Sequence, residues 1–156
     1  MKQLQIEDSK AKILYKTASL EFKQMLEDTF GKEFFSGKIT DRIKTYEDAC
    51  CKLNEIPIYR ETFGNNRITD DELSYIKLKT ITKALNEGWV PDWEDNRQQK
   101  WYPYFLLSSS SFVFDGLYCR YSHTAAGNSS HLCFPNEKLA TYAGKKFVEI
   151  YKGFMF

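Results

Sequence analysis

Four residues of this chain are of types that bind metals or attack carbonyl carbons, and they fall close together: Cys119, His123, His131 and Cys133. Thiolates and imidazoles are the side chains zinc prefers, and the pairs Cys-x3-His and His-x-Cys resemble half-sites of a four-coordinate centre. If His123 faced His131 across a hairpin, the two-residue period of a strand would place all four on one face. Distance opposes this. On an extended strand Cys119 and His123 stand about 13 Å apart, whereas two donors to one zinc lie within about 4 Å. A zinc site, the one cofactor these residues suggest, therefore requires the strand to break near Ser122. Without that break they read as buried thiols and imidazoles at a loop edge. The same residues offer a second chemistry, a thiol-dependent hydrolase, which needs a thiolate within reach of an oriented imidazole. His131 and Cys133 point the same way, but no helix N-terminus lies there to acidify the thiol.

A second set of candidates is aromatic. Residues 89–101, WVPDWEDNRQQKW, hold all three tryptophans, Trp89, Trp93 and Trp101, in a stretch that Pro91 and the polar run 94–100 keep irregular. A loop tryptophan either pins its loop to the core or offers a flat surface to a ligand, and the large area of the ring favours the pin. Aromatic residues nevertheless make up 16% of the chain, enough to place part of them on the surface. Trp89, Trp93, Trp101 and Tyr104, with the polar loop 122–130 (SHTAAGNSS), then form a candidate contact surface for a ligand or partner, with Arg120 and Asn128 as its polar members. Arg120 lies beside Tyr118 and Tyr121, and such an arginine can stack on a base or clamp a phosphate. The loop lacks the Gly-x4-Gly-Lys and Gly-x-Gly-x2-Gly spacings of phosphate-binding turns. In the acidic cluster Asp92, Glu94 and Asp95, the pair Pro91-Asp92 begins like a nuclease metal site, but Asp115 is followed by Leu117, so the acidic residue and lysine two apart that such a site requires are missing, and the cluster reads as a solvated loop.

Hydrophobic spacing gives the elements that must position these residues. Ile13, Leu14, Ala18, Phe22, Met25, Leu26 and Phe30 predict helix over 7–30, divided near Thr17 and Ser19, with Ser19 as cap and Gly31 as stop. Thr45 and Asp48 form a capping box for a short helix that Pro57 forbids from continuing. Residues 58–68, IYRETFGNNRI, read as an exposed loop. Thr69 with Glu72 caps the clearest helix, which Gly88 ends. Its apolar stripe is wider than the roughly 100° of a surface helix, so it reads as central, more scaffold than site. Tyr102–Leu107 and Phe112–Tyr121 predict two strands and His131–Phe134 a short third, with Gly116 marking a bulge or a close backbone approach. Asn136 caps a last helix whose Leu139, Ala143, Phe147, Ile150 and Phe154 lie across the sheet. Helices followed by a small antiparallel sheet of about three strands, closed by a C-terminal helix, make an α+β fold, and 156 residues suit one domain.

Charge and composition narrow the function. Twenty-two basic against 21 acidic residues leave a formal +1, which disfavours bulk nucleic-acid binding while leaving open a nucleotide or a single strand held at a local site. No run of about 18 apolar residues and no signal-like start occur, so a cytoplasmic protein away from the membrane, with its cysteines reduced, is expected.

The segments KTYEDACCKL (44–53), KALNEGWVPDW (83–93), KWYPYF (100–105) and HLCFPNEKLATYAGKKF (131–147) resemble an uncharacterised family of small proteins from gut Bacteroidota and their phages, crAss-like phages included. The resemblance covers residues 44–156, with 1–43 as an added N-terminal helical segment of the same domain. It implies an accessory protein of a phage or mobile element, working in the bacterial cytoplasm or carried in the virion. It assigns no activity, and where the family commonly reads Arg-Leu-Cys-Phe this chain has His131-Leu132-Cys133-Phe134. The resulting expectation is a non-enzymatic protein that binds a protein, small-molecule or nucleotide partner, with self-association open. A zinc- or thiol-dependent hydrolase at 119–133 is the competing class.

Overall fold

Side-chain caps start four of the α-helices among the described residues, at Ser19, Thr45, Thr69 and Asn136. The computed structural model describes residues 6–31, 34–35, 37–64, 68–108, 111–123 and 131–156, in a chain that divides into two compact units, Met1–Arg42 and Ile43–Phe156. Among the described residues are seven α-helices and a two-stranded antiparallel sheet, the α+β class that the element order predicts.

The first unit holds α1 (Asp8–Thr17), α2 (Leu20–Phe30) and α3 (Ile39–Arg42). The predicted division falls where Ser19 Oγ accepts the Phe22 N–H at 3.4 Å, and Gly31, at φ 84°, closes α2. Tyr15 stacks on Phe35 at 4.2 Å and Phe30 on Phe34 at 5.0 Å, while the Lys12 ammonium sits 5.2 Å from the Phe34 ring centroid.

In the second unit, α4 (Tyr46–Leu53) begins with the Thr45–Asp48 capping box and stops at Asn54, whose left-handed backbone ends it before Pro57 is reached. The loop after it is less open than its polarity suggests. Arg60–Phe63 form a 3-10 turn, Ile68 is buried, and Arg60 donates to the Ile68 carbonyl at 3.2 Å and pairs with Asp70. Helix α5 (Asp70–Leu85) starts with the Thr69–Glu72 capping box and packs against α4.

Strands β1 (Lys100–Leu107) and β2 (Phe112–Arg120) pair with Trp101 opposite Cys119 and Tyr104 opposite Gly116. The next pair is Phe105 with Phe114, so Asp115 has no partner and the expected bulge sits there. The third strand shrinks to one bridge, in which Phe134 and Trp101 exchange two N–H···O bonds of 2.9 Å. The cause is local: Pro135 has no N–H to extend a ladder, and Asn136 already caps the next helix. The expected single C-terminal helix is two, α6 (Glu137–Lys146) and α7 (Val148–Met155), broken at buried Phe147.

Helix α6 covers one face of the sheet, and α7 links the sheet to α5. Phe105 meets Tyr151 of α7 with ring centroids 4.8 Å apart, and Phe154 stacks on Tyr75 of α5 at 5.4 Å. The approach of α6 to the sheet depends on Gly144. A Cβ there would lie 2.5 Å from Phe114 Cδ2 and 2.8 Å from the Pro103 Cβ. Gly144→Ala gains about 1 kcal/mol of helix propensity, but overpacking a rigid helix–sheet contact costs about 1–3 kcal/mol. The expected result in urea denaturation is a net loss, with a lower midpoint; an unchanged or higher midpoint would show that this contact yields.

Candidate functional site

Two polar residues interrupt the apolar face of α5. Thr82 is 2% exposed and Asn86, the C-cap, 9%, and they stand one turn apart on the same side of the helix. The Asn86 backbone N–H donates to the Thr82 carbonyl and its side-chain Nδ2 to the Cys133 carbonyl, both at 2.9 Å. Because a carbonyl only accepts, this bond fixes the carboxamide, with NH2 toward Cys133 and Oδ1 turned away. Among the described residues Asn86 Oδ1 and Thr82 Oγ1 are buried with no hydrogen-bond partner.

Both residues line a groove of about 650 Å³. Half-buried Trp89, Trp93, Pro91, Ile58 and Ile76 wall it, and exposed Lys79, Lys83, Glu55 and His131 lie at its rim. The tryptophan loop reaches this position through a sharp reversal after α5, in which Glu87 (φ 46°) and Gly88 (φ 91°) both adopt left-handed backbone. The Trp89 N–H then donates back to the Asn86 carbonyl at 2.9 Å.

The rest of the loop is shaped by its own polar groups. Asp92 Oδ1 accepts the Glu94 and Asp95 N–H groups at 2.9 and 3.3 Å, and Gln98 Oε1 accepts the Asp92 N–H at 2.7 Å. The Arg97 N–H, bonded to the Asp95 carboxylate, holds that carboxyl below its ordinary pKa. Lys100, fully buried at the start of β1, donates from Nζ to the Gln98 and Asp95 carbonyls at 3.0 and 3.4 Å, with the Trp93 ring centroid 5.1 Å away. The acidic run therefore organises the loop. At the rim, Lys83 pairs with Glu55 at 2.7 Å, and the Lys79 ammonium lies 5.6 Å from the Tyr75 ring centroid.

The structure separates the aromatic residues that the sequence grouped. Trp89 and Trp93 meet in the groove. Trp101 is half-buried between Cys119 and Phe134 in the sheet. Tyr104 and Arg120 stand on the opposite face by strand alternation, where Tyr104 stacks with Tyr118 at 6.4 Å and the Arg120 guanidinium lies 3.6 Å from the Tyr118 ring centroid. Asn128 lies outside the described residues, as does the rest of 124–130.

The four cysteines and histidines of the hairpin are also divided. Phe134 pairs with Trp101 of β1, and Trp101 is opposite Cys119, so those three share one face. Cys133, next to Phe134, falls on the other, where Tyr102 hydrogen-bonds it. The one-face arrangement required His131 to oppose His123, and the pairing with β1 replaces that register. His123 is exposed past the end of β2, and His131 sits at the groove rim. Among the described residues no three His, Cys, Asp or Glu side chains group as metal ligands. Burial pushes the Cys133 thiol up, against the Tyr102 hydrogen bond and the Lys100 charge, and burial pushes Cys119 up as well. Both are protonated at neutral pH and so poor nucleophiles.

No protein-family model, curated protein or solved structure matches the chain at a significant level. Among the described residues no helix is long and apolar enough to cross a membrane.

Thr82→Val replaces the unpartnered hydroxyl by a methyl of the same shape and should stabilise the unliganded protein by about 1 kcal/mol, read as a raised urea midpoint; a lowered midpoint would mean that Oγ1 has a partner. The buried thiols make stability fall in alkali. Cys50 and Cys133 are raised by burial, and Tyr46, also by burial, is pushed up to about 12. The folded chain keeps these protons where the unfolded chain loses them, so this stability is complete below an ordinary thiol pKa of about 8.5 and falls as pH rises beyond it. At pH 8 iodoacetamide should modify exposed Cys51 first and leave Cys133 unmodified while the protein is folded. Equal rates at the two would refute the burial of Cys133.

Proposed function

We propose that this chain is a binding protein without catalytic chemistry, whose site is the groove between α5 and the Trp89–Trp93 loop and whose ligand is a planar small molecule. The observation that carries the reading is the pair of buried, unpartnered atoms, Asn86 Oδ1 and Thr82 Oγ1, on residues that line a groove walled by Trp89, Trp93, Pro91, Ile58 and Ile76. Apolar walls with a few fixed polar groups are the usual make-up of a small-molecule site, and tryptophan faces suit flat rings. The protonated thiols and dispersed histidines support binding over hydrolysis. A role as an accessory protein of a phage or mobile element rests on the resemblance of residues 44–156.

Ligand-detected NMR with naphthalene-2-sulfonate as a planar probe tests the site. Saturation transfer to the probe is expected, with affinity reduced about tenfold or more in Trp93→Ala and in Trp89→Ala, and unchanged in Trp101→Phe, which lies away from the groove. No binding, or binding indifferent to Trp89 and Trp93, would sink the proposal.

A further inference from the structure

The lining of the groove places three demands on an occupant, and together they define its class. We infer that the ligand is a nucleobase presented as a nucleoside monophosphate, its ring against Trp89 and Trp93, its N–H edge toward Asn86 and Thr82, and its phosphate at Lys79. This rests on the groove being the binding site.

The walls require a flat ring, because stacking on an indole is tolerant of ring identity and strong. The floor requires hydrogen-bond donors. Asn86 Oδ1 is an acceptor with no partner, while its Nδ2 already donates to the Cys133 carbonyl, and the residue caps the C-terminal end of α5, where the helix dipole is negative and favours donors. Thr82 sits one turn back, and a helical threonine has two accessible χ1 wells, so a single rotation changes where its hydroxyl points. An apolar ring would leave both groups unpaired.

The rim requires negative charge. Glu55 neutralises Lys83, but among the described residues no carboxylate pairs with Lys79. Lys79, Thr82, Lys83 and Asn86 follow helical spacing on one face, and seven residues separate Asn86 from Lys79, about 10 Å along the axis. That length matches a base, a sugar and one phosphate laid end to end. A quaternary ammonium, the other guest that aromatic grooves favour, is opposed by Lys79 and by the Lys100 ammonium 5.1 Å from the Trp93 ring. One uncompensated lysine and a formal +1 on the whole chain suit a mononucleotide and not a polymer.

Competition against naphthalene-2-sulfonate, followed by tryptophan emission, tests this with the four ribonucleoside 5′-monophosphates, adenosine and ribose 5-phosphate. At least one monophosphate is expected to displace the probe and to bind about tenfold or more tighter than ribose 5-phosphate. Thr82→Val should weaken that monophosphate about three- to tenfold, with a cooperative urea transition showing that the variant is folded. Lys79→Gln should weaken the monophosphate and spare the nucleoside. If the probe binds in the groove and no monophosphate displaces it, the ligand class is wrong and the site stands. If neither binds, the site falls with it.

Discussion

A buried ammonium holds the groove together. Lys100 is the one charged side chain buried among the described residues, and burying a charge is costly unless its donors are used. They are used on the carbonyls of Gln98 and Asp95 and against the Trp93 ring, all within the loop that precedes the strand. The loop cannot lift away without stranding the cation, which ties a segment with little regular structure to the start of β1. The links continue around a closed circuit. Lys100 adjoins Trp101, which bridges to Phe134; Phe134 adjoins Cys133, whose carbonyl holds the Asn86 side chain; and the Asn86 carbonyl holds Trp89 at the start of the loop. The groove lies on this circuit, and its floor and walls are therefore positioned by one another.

How much of this is legible in the sequence depends on whether the cause is local. The Ser19, Thr45, Thr69 and Asn136 caps and the bulge beside Gly116 come from residues acting within a few positions, and each is found where residue type and spacing predict it, whereas the break at Phe147 that divides the last helix is not. The groove arises from contacts between α5, the tryptophan loop and His131, which are distant in sequence. Wide apolar spacing made α5 read as scaffold, and the packing bears that out, yet the same helix supplies the site's floor. One signal was present: Thr82 and Asn86 are polar residues at i and i+4 within a stripe otherwise made of Leu78, Ile81, Ala84 and Leu85. A polar pair inside a buried stripe needs partners, and asking where they lie leads to the groove.

Register explains why residues adjacent in sequence ended apart. With a two-residue period, which neighbour a strand chooses decides which side chains can meet. Pairing of residue 134 with Trp101 sends Cys133 toward Tyr102 and Cys119 to the opposite face. The tryptophans obey the same logic. Trp89 and Trp93 belong to the loop and are free to close over α5, whereas Trp101 is already inside the ladder, where its backbone is committed to Phe134.

The unpaired atoms that line the groove carry an energetic cost. A buried polar group without a partner costs about 1–3 kcal/mol, and a domain's entire stability is only about 5–15 kcal/mol. Tyr151 carries the same penalty inside the core, where burial alone drives its hydroxyl pKa upward and its ring packs on Phe105. There the aromatic contact offsets the loss. Thr82 has no such compensation, since valine would fill the same position and remove the cost, whereas Asn86 keeps its bond to the Cys133 carbonyl. A ligand that hydrogen-bonds both groups recovers part of that penalty on binding, and it adds to folding stability in proportion to the logarithm of its concentration over its dissociation constant. Part of the chain's buried polar deficit thus lies in Thr82 and Asn86, residues that line the groove.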